Sequence, residues 1–166
     1  RTLFVLDSRG RMVAAREPEP PSPVPLFTII RSATSCAWAV RADVSDAVAD
    51  ELGRFARQEP PVSDFRLPPV FAEQYQSLVG GRIWSGPGFT FPERMAEPTS
   101  VVEVDDECLL LHHFRGWLPG EIAEGRAPVM AILEDGYPVS ICFCARRTDE
   151  AAEAGLETAE PYRGRG

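Results

Sequence analysis

The sequence predicts an α+β fold of mixed α/β composition: a sheet flanked by helices over residues 100–166, preceded by a smaller α/β region over residues 1–99. Three observations lead there. Short runs rich in β-branched and aromatic residues, such as "LFTII" and "CAWAV", read as strands. Two longer stretches, "SDAVADELGRFARQE" and "PVFAEQYQSLVGG", read as helices. After the connector "RMAEPTS", strand and helix signals follow one another in a regular order.

Composition narrows the function classes. The 166 residues allow one ordinary domain, or a small domain with an extension, and 44% hydrophobic residues can fill a core. No apolar run reaches the roughly 20 residues that span a bilayer, so no membrane partner is expected and a cytoplasmic protein is the default. The formal net charge of -8 has the wrong sign for a non-specific nucleic-acid binder. Every basic side chain is Arg, and the absence of Lys excludes lysine Schiff-base chemistry. Together with abundant Ala and Pro, the same bias suggests a GC-rich genome.

Taken in order, "LFVLDSRGRMVAA" predicts a hairpin about Asp7–Gly10. The proline-dense "EPEPPSPVP" predicts a loop or linker. Ser45 is a candidate N-cap for the first helix, which puts Val48, Leu52 and Phe55 on one face; Pro60 and Pro61 stop it. Gly80 and Gly81 end the second helix. "GRIWSGPGFTFPE" predicts two short strands about a Ser85–Gly88 turn, with Trp84, Phe89 and Phe91 as core aromatics.

From Ser100, "VVEV" predicts a strand, and Asp105 or Asp106 caps a helix over "DECLLLHHF". "GWLPGEIAEGR" predicts a turn with one helical turn, and Trp117 reads as core. "APVMAILED" and "YPVSICFCARR" predict a hairpin about Asp135–Gly136. "TDEAAEAG" then reads as a loop and "LETAE" as a last strand.

Cys36, Cys108, Cys142 and Cys144 contain no C-x-x-C pair and predict buried free thiols. His112 and His113 are adjacent and diverge by about 100° on a helix, so no metal site is expected from them.

The terminal "RGRG" carries the functional signal. Glycines after a strand let consecutive N–H groups turn inward into a nest that suits phosphate, and Arg163 and Arg165 add charge. Read with the strand–helix–short helix–strand–strand–strand order before it, "AGLETAEPYRGRG" resembles the fourth strand and pyrophosphate loop of the GNAT N-acetyltransferase superfamily. Arg163, Gly164, Arg165 and Gly166 match the first four places of that family's six-place acyl-CoA signature. "RIWSGPGFTFPE" and "HHFRGWLPGEI" are similar to runs in bacterial GNAT-like proteins with an N-terminal extension.

The resemblance implies an N-acetyltransferase that moves an acetyl group from acetyl-CoA to an amine in a ternary complex. The acceptor would be a small molecule or a peptide, and many relatives form homodimers. It implies that Glu157 and Thr158 hold the pantetheine arm through their backbone, that Arg163, Gly164, Arg165 and Gly166 hold the pyrophosphate, and that Glu157 or Glu153 is the general base. The family's later helices and strands are missing here, so the chain is expected to be a fragment, with the C-terminal half of the domain absent. Residues 1–99 would shape acceptor choice. The alternative is a GNAT-like module that binds acyl-CoA or a protein partner without catalysis; a structural α+β domain is a third reading.

Overall fold

The structure, a computed structural model, describes residues 3–17, 23–62, 64, 66–89, 92–94 and 100–164. The chain divides into two compact units. One gathers Arg1–Phe4, Ala15–Ser22 and Glu93–Gly166; the other gathers Val5–Ala14 and Pro23–Pro92. The mixed α+β class holds, and the sheets are antiparallel where their register is defined.

The expected first hairpin pairs β1 (Phe4–Leu6) with β2 (Met12–Ala15). Asp7 shapes its turn by accepting the backbone N–H groups of Arg9 and Arg11. The Arg11 N–H in particular holds the Asp7 carboxyl below the usual carboxylate range. The prolines at 18, 20 and 21 lie outside the described residues.

In the second unit, β3 (Phe27–Arg31) pairs with β4 (Cys36–Val40), Phe27 opposite Val40 and Arg31 opposite Cys36. Ser32 closes their turn, its hydroxyl accepting the N–H groups of Thr34 and Ser35. Helix α1 (Asp46–Ala56) starts at the Ser45 cap, whose side chain accepts the Val48 N–H. It ends four residues before Pro60. Helix α2 (Ala72–Val79) ends at Gly80, which has φ 67°. Val40, Ala49, Leu52 and Tyr75 form the core, with Val48, Phe55 and Phe71 against it. The Phe27 and Tyr75 rings lie 4.8 Å apart, and Phe55 and Phe71 5.1 Å.

One carboxylate is buried in this unit. Glu59 accepts the N–H groups of Val70 and Phe71 and the hydroxyl of Tyr75. Together with Arg31, which donates to the Leu67 and Pro68 carbonyls, it ties the approach to α2 onto the β3–α1 layer. Burial, then the Glu59 charge, drives the Tyr75 phenol well above its ordinary value of 10.0. A raised acid pKa means the native state keeps a proton that the unfolded chain releases. That stability is complete below pH 10 and is lost as pH rises toward the folded value. Stability should therefore fall on alkaline titration above about pH 10, and Tyr75→Phe should lessen that fall. Urea midpoints at neutral and alkaline pH check it; an unchanged alkaline slope in the variant would refute the assignment.

Residues 82–89 depart from expectation. No strand occurs among them, and Trp84 and Phe89 are 85% and 87% exposed rather than core. The physical reason is local. Gly86, Pro87 and Gly88 leave each half too short and too poor in side chains to pair. The Trp84 ring instead folds back toward Gly86, where an added Cβ would lie 3.0 Å from it. Phe91 lies outside the described residues.

The first unit holds a four-stranded antiparallel sheet, β5 (Val101–Glu103), β6 (Met130–Glu134), β7 (Tyr137–Arg147) and β8 (Ala152–Thr158), in that order. Asp135 and Gly136, with φ 53° and 83°, make the expected tight turn between β6 and β7. Helix α3 (Glu107–Leu110) is shorter than "DECLLLHHF", although Asp106 caps it as expected. The chain turns early because Leu110, Phe114 and Trp117 must all reach the sheet, where they pack with Val104, Val129, Ala131 and Ile141. A wide helical turn, Ile122–Arg126, follows and is pinned by Glu107, which accepts the Gly120 and Ile122 N–H groups. Trp117 is core, as expected.

Two further corrections concern the sheet. The loop expected over "TDEAAEAG" is only Thr148–Ala151; β8 already begins at Ala152, because the long strand β7 templates it through Arg147. The thiols are all free, but only Cys144 is buried as expected; Cys36 and Cys142 are half-buried, and Cys108 is exposed on the solvent side of α3. The face of the sheet opposite the helices is open at Ile132 and Leu156, the latter 77% exposed.

Candidate functional site

Strand β8 lies at the edge of its sheet, bonded to β7 alone among the described residues. An edge strand offers a row of N–H and C=O groups to any extended partner. Glu157 pairs with Ile141 and Thr158 with Ser140. Adjacent strand residues face opposite sides, so Glu157 stands on the helix-covered face and Thr158 on the open one. The Thr158 and Ser140 hydroxyls are 2.9 Å apart, which locks that end of the register.

Glu157 is exposed, and no ion pair or side-chain hydrogen bond holds it among the described residues. Glu153 has a different setting. Its carboxylate is engaged by the Arg146 guanidinium, which also binds Glu17. The Arg146 Nε is buried with no partner among the described residues. Glu153 is thus one arm of a three-residue ionic knot, and a base there would have to leave Arg146 first.

Past β8, a short turn over Glu160–Tyr162 leads to Arg163 and Gly164. The Arg163 Nε donates to the Thr158 carbonyl at 2.9 Å, which folds the arginine back along the strand end. Its terminal amino groups bond to no described residue. Gly164 has φ 75°, a conformation that other residues adopt only with strain. Arg165 and Gly166 lie outside the described residues.

A row of rings supports this end of the sheet. His112 stacks on Tyr137 at 3.9 Å, meets His113 edge-on at 4.5 Å, and His113 meets Tyr162 at 5.5 Å. The row links α3 and the β6–β7 turn to the turn before Arg163. At mid-strand, the Phe143 ring lies across Gly155, with Trp117 edge-on at 5.2 Å and the Arg126 guanidinium over its face.

Sequence reasoning named Glu153, Glu157, Thr158 and the Arg163 turn, and the structure sets all of them along β8 and its exit. It missed Arg146, Glu17, Ser140 and the Phe143–Gly155 stack. The paired arginines ending "YPVSICFCARR" opposite "EAAE" were the available signal for the knot. Among the described residues, no group of three or more His, Cys, Asp and Glu could hold a metal. No described helix is long and apolar enough to cross a membrane. No family model, curated protein or solved structure matches this chain.

Proposed function

We propose that this chain is a GNAT-type acyltransferase that moves an acetyl group from acetyl-CoA to an amine by direct attack in a ternary complex. One observation carries the reading: among the described residues β8 is bonded to β7 alone, and the short turn over Glu160–Tyr162 leads from it to Arg163 and Gly164. The strand–helix–turn–strand–strand–strand order that precedes this exit supports it.

The pantetheine arm would lie along the free edge of β8 as a pseudo-strand, accepting and donating at backbone groups near Glu157 and Thr158. The pyrophosphate would meet the terminal amino groups of Arg163 and the backbone at Gly164. The acceptor amine attacks the thioester carbonyl carbon, and an edge N–H stabilises the oxygen that becomes negative. The C–S bond then breaks; the amine proton passes to a carboxylate and the thiolate takes up a proton. Glu157 fits the base better than Glu153, because no described residue engages its carboxylate while that of Glu153 is held by Arg146.

Thermal unfolding with and without acetyl-CoA tests the binding step. At roughly 100 times its dissociation constant the ligand should add about 2.7 kcal/mol. Glu157→Gln should keep that shift and lower turnover about a hundredfold. The absence of any shift in the unaltered chain would overturn the acyl-CoA reading. A shift without turnover would favour the non-catalytic binding module, and undiminished turnover in the variant would remove Glu157 from the mechanism.

A further inference from the structure

Tyr162 and Arg163 are neighbours in the chain with opposite duties. The Tyr162 ring packs against the buried core of the first unit. The Arg163 side chain is exposed and turns its Nε back to the Thr158 carbonyl. Where that guanidinium points therefore depends on how firmly the turn between Thr158 and Arg163 is held.

The turn is fastened near both ends. At its start the Ala159 N–H donates to the Val139 carbonyl at 2.9 Å, and Ala159 is buried. At its end the Tyr162 ring meets His113 edge-on, with centroids 5.5 Å apart and planes at 68°. Two bonds lie within the turn, from the Tyr162 N–H to the Ala159 carbonyl and from the Arg163 N–H to the Glu160 carbonyl. These set its curl but do not tie it to the sheet.

His113 is a firm point of attachment. Its N–H donates to the carbonyl of Leu110, which is fully buried, and the next residue, Phe114, is 2% exposed. On its other side His112 meets it edge-on at 4.5 Å. The His112 ring in turn lies 3.9 Å from that of Tyr137, within 18° of parallel, at the first residue of β7. The rings thus extend the stiffness of core and sheet to the residue just ahead of Arg163.

Stiffness at this point has a use in binding. A loose turn must be ordered by its ligand, and that cost is subtracted from affinity; a turn already held spares it. An edge-on ring contact supplies the hold through shape and the ring quadrupole, without a charge or a hydrogen bond. We infer that His113 is a positioning residue for the acyl-CoA pyrophosphate: acting through Tyr162, its ring holds the turn that aims Arg163. The inference rests on the acyl-CoA reading of this exit.

Two probes, titrated into the full chain by calorimetry and thermal shift, test it. One is acetyl-CoA; the other is S-acetylpantetheine, which keeps the thioester arm but has no pyrophosphate. His113→Ala should bind acetyl-CoA about fivefold more weakly than the parent, and S-acetylpantetheine equally well. His113→Phe keeps a ring and should bind acetyl-CoA within about twofold of the parent. General damage to the fold would weaken both probes alike in His113→Ala. A direct bond from the imidazole to phosphate would be lost in both variants. Either result overturns the inference, as does His113→Ala binding acetyl-CoA undiminished while the parent binds it. If the parent binds no acetyl-CoA, the acyl-CoA reading itself falls and this inference falls with it.

Discussion

Replacing Glu59 by alanine should destabilise the second unit by about 3–5 kcal/mol. The side chain is a buried acceptor for three donors drawn from one segment and one helix: the Val70 and Phe71 N–H groups and the Tyr75 hydroxyl. Alanine leaves those donors in a space from which water is largely excluded, and each unsatisfied group costs about 1–3 kcal/mol. The segment they belong to also carries Phe71, which packs on Phe55, so its release loosens an aromatic contact as well. Glu59→Gln should recover part of the loss: an amide oxygen still accepts, but its NH2 group must face one of the donors. Urea unfolding followed by far-UV circular dichroism measures both variants. An alanine variant as stable as the parent would show that Glu59 is not the clamp described.

Gly155→Val should cost about 3 kcal/mol in the first unit. A Cβ at this position would lie 2.5 Å from two atoms of the Phe143 ring, closer than any van der Waals contact permits. The ring cannot simply swing away, because Trp117 meets its edge and the Arg126 guanidinium covers its face. The substitution must displace either the ring or β8, and β8 is the weaker party, being paired to β7 alone among the described residues. Phe143→Ala in the same chain should relieve the clash, so the double variant should be more stable than the sum of the single losses predicts. Strict additivity would mean that the ring and Gly155 do not meet.

The contrast between these two sites shows what could be read from residues alone. Repeating patterns were legible. The 3.6-residue spacing of α1, its Ser45 cap and the Asp135–Gly136 turn are local chemistry, and the structure follows each of them. Single residues whose role depends on distant partners were not. Glu59 looks like any glutamate after a helix until Val70 and Tyr75 arrive. Gly155 looks like a loop glycine because nothing nearby in the sequence announces the Phe143 ring. The same logic explains β8, whose Ala- and Glu-rich start lacks strand character and is drawn into the sheet by β7. Trp84 and Phe89 failed in the other direction. Their aromatic character suggested burial, but a stretch with Gly86, Pro87 and Gly88 gives them no framework to be buried against. In the candidate site, the Glu157, Thr158 and Arg163 positions came from a motif, whereas the commitment of Glu153 to Arg146 required the fold.

The ionic knot on Arg146 has a consequence in time. Glu153 lies seven positions along the chain from Arg146, but Glu17 lies 129 positions away. At roughly 5–20 residues per second, a ribosome separates the appearance of Glu17 from that of Arg146 by on the order of ten seconds. Throughout that interval Glu17 lacks its cation, although Arg16 beside it can already bond through its backbone N–H to the Leu3 carbonyl. The first-made carboxylate thus meets its cation only after every element from β3 to β6 has been synthesised, so closure of the knot is a long-range step that local folding cannot complete.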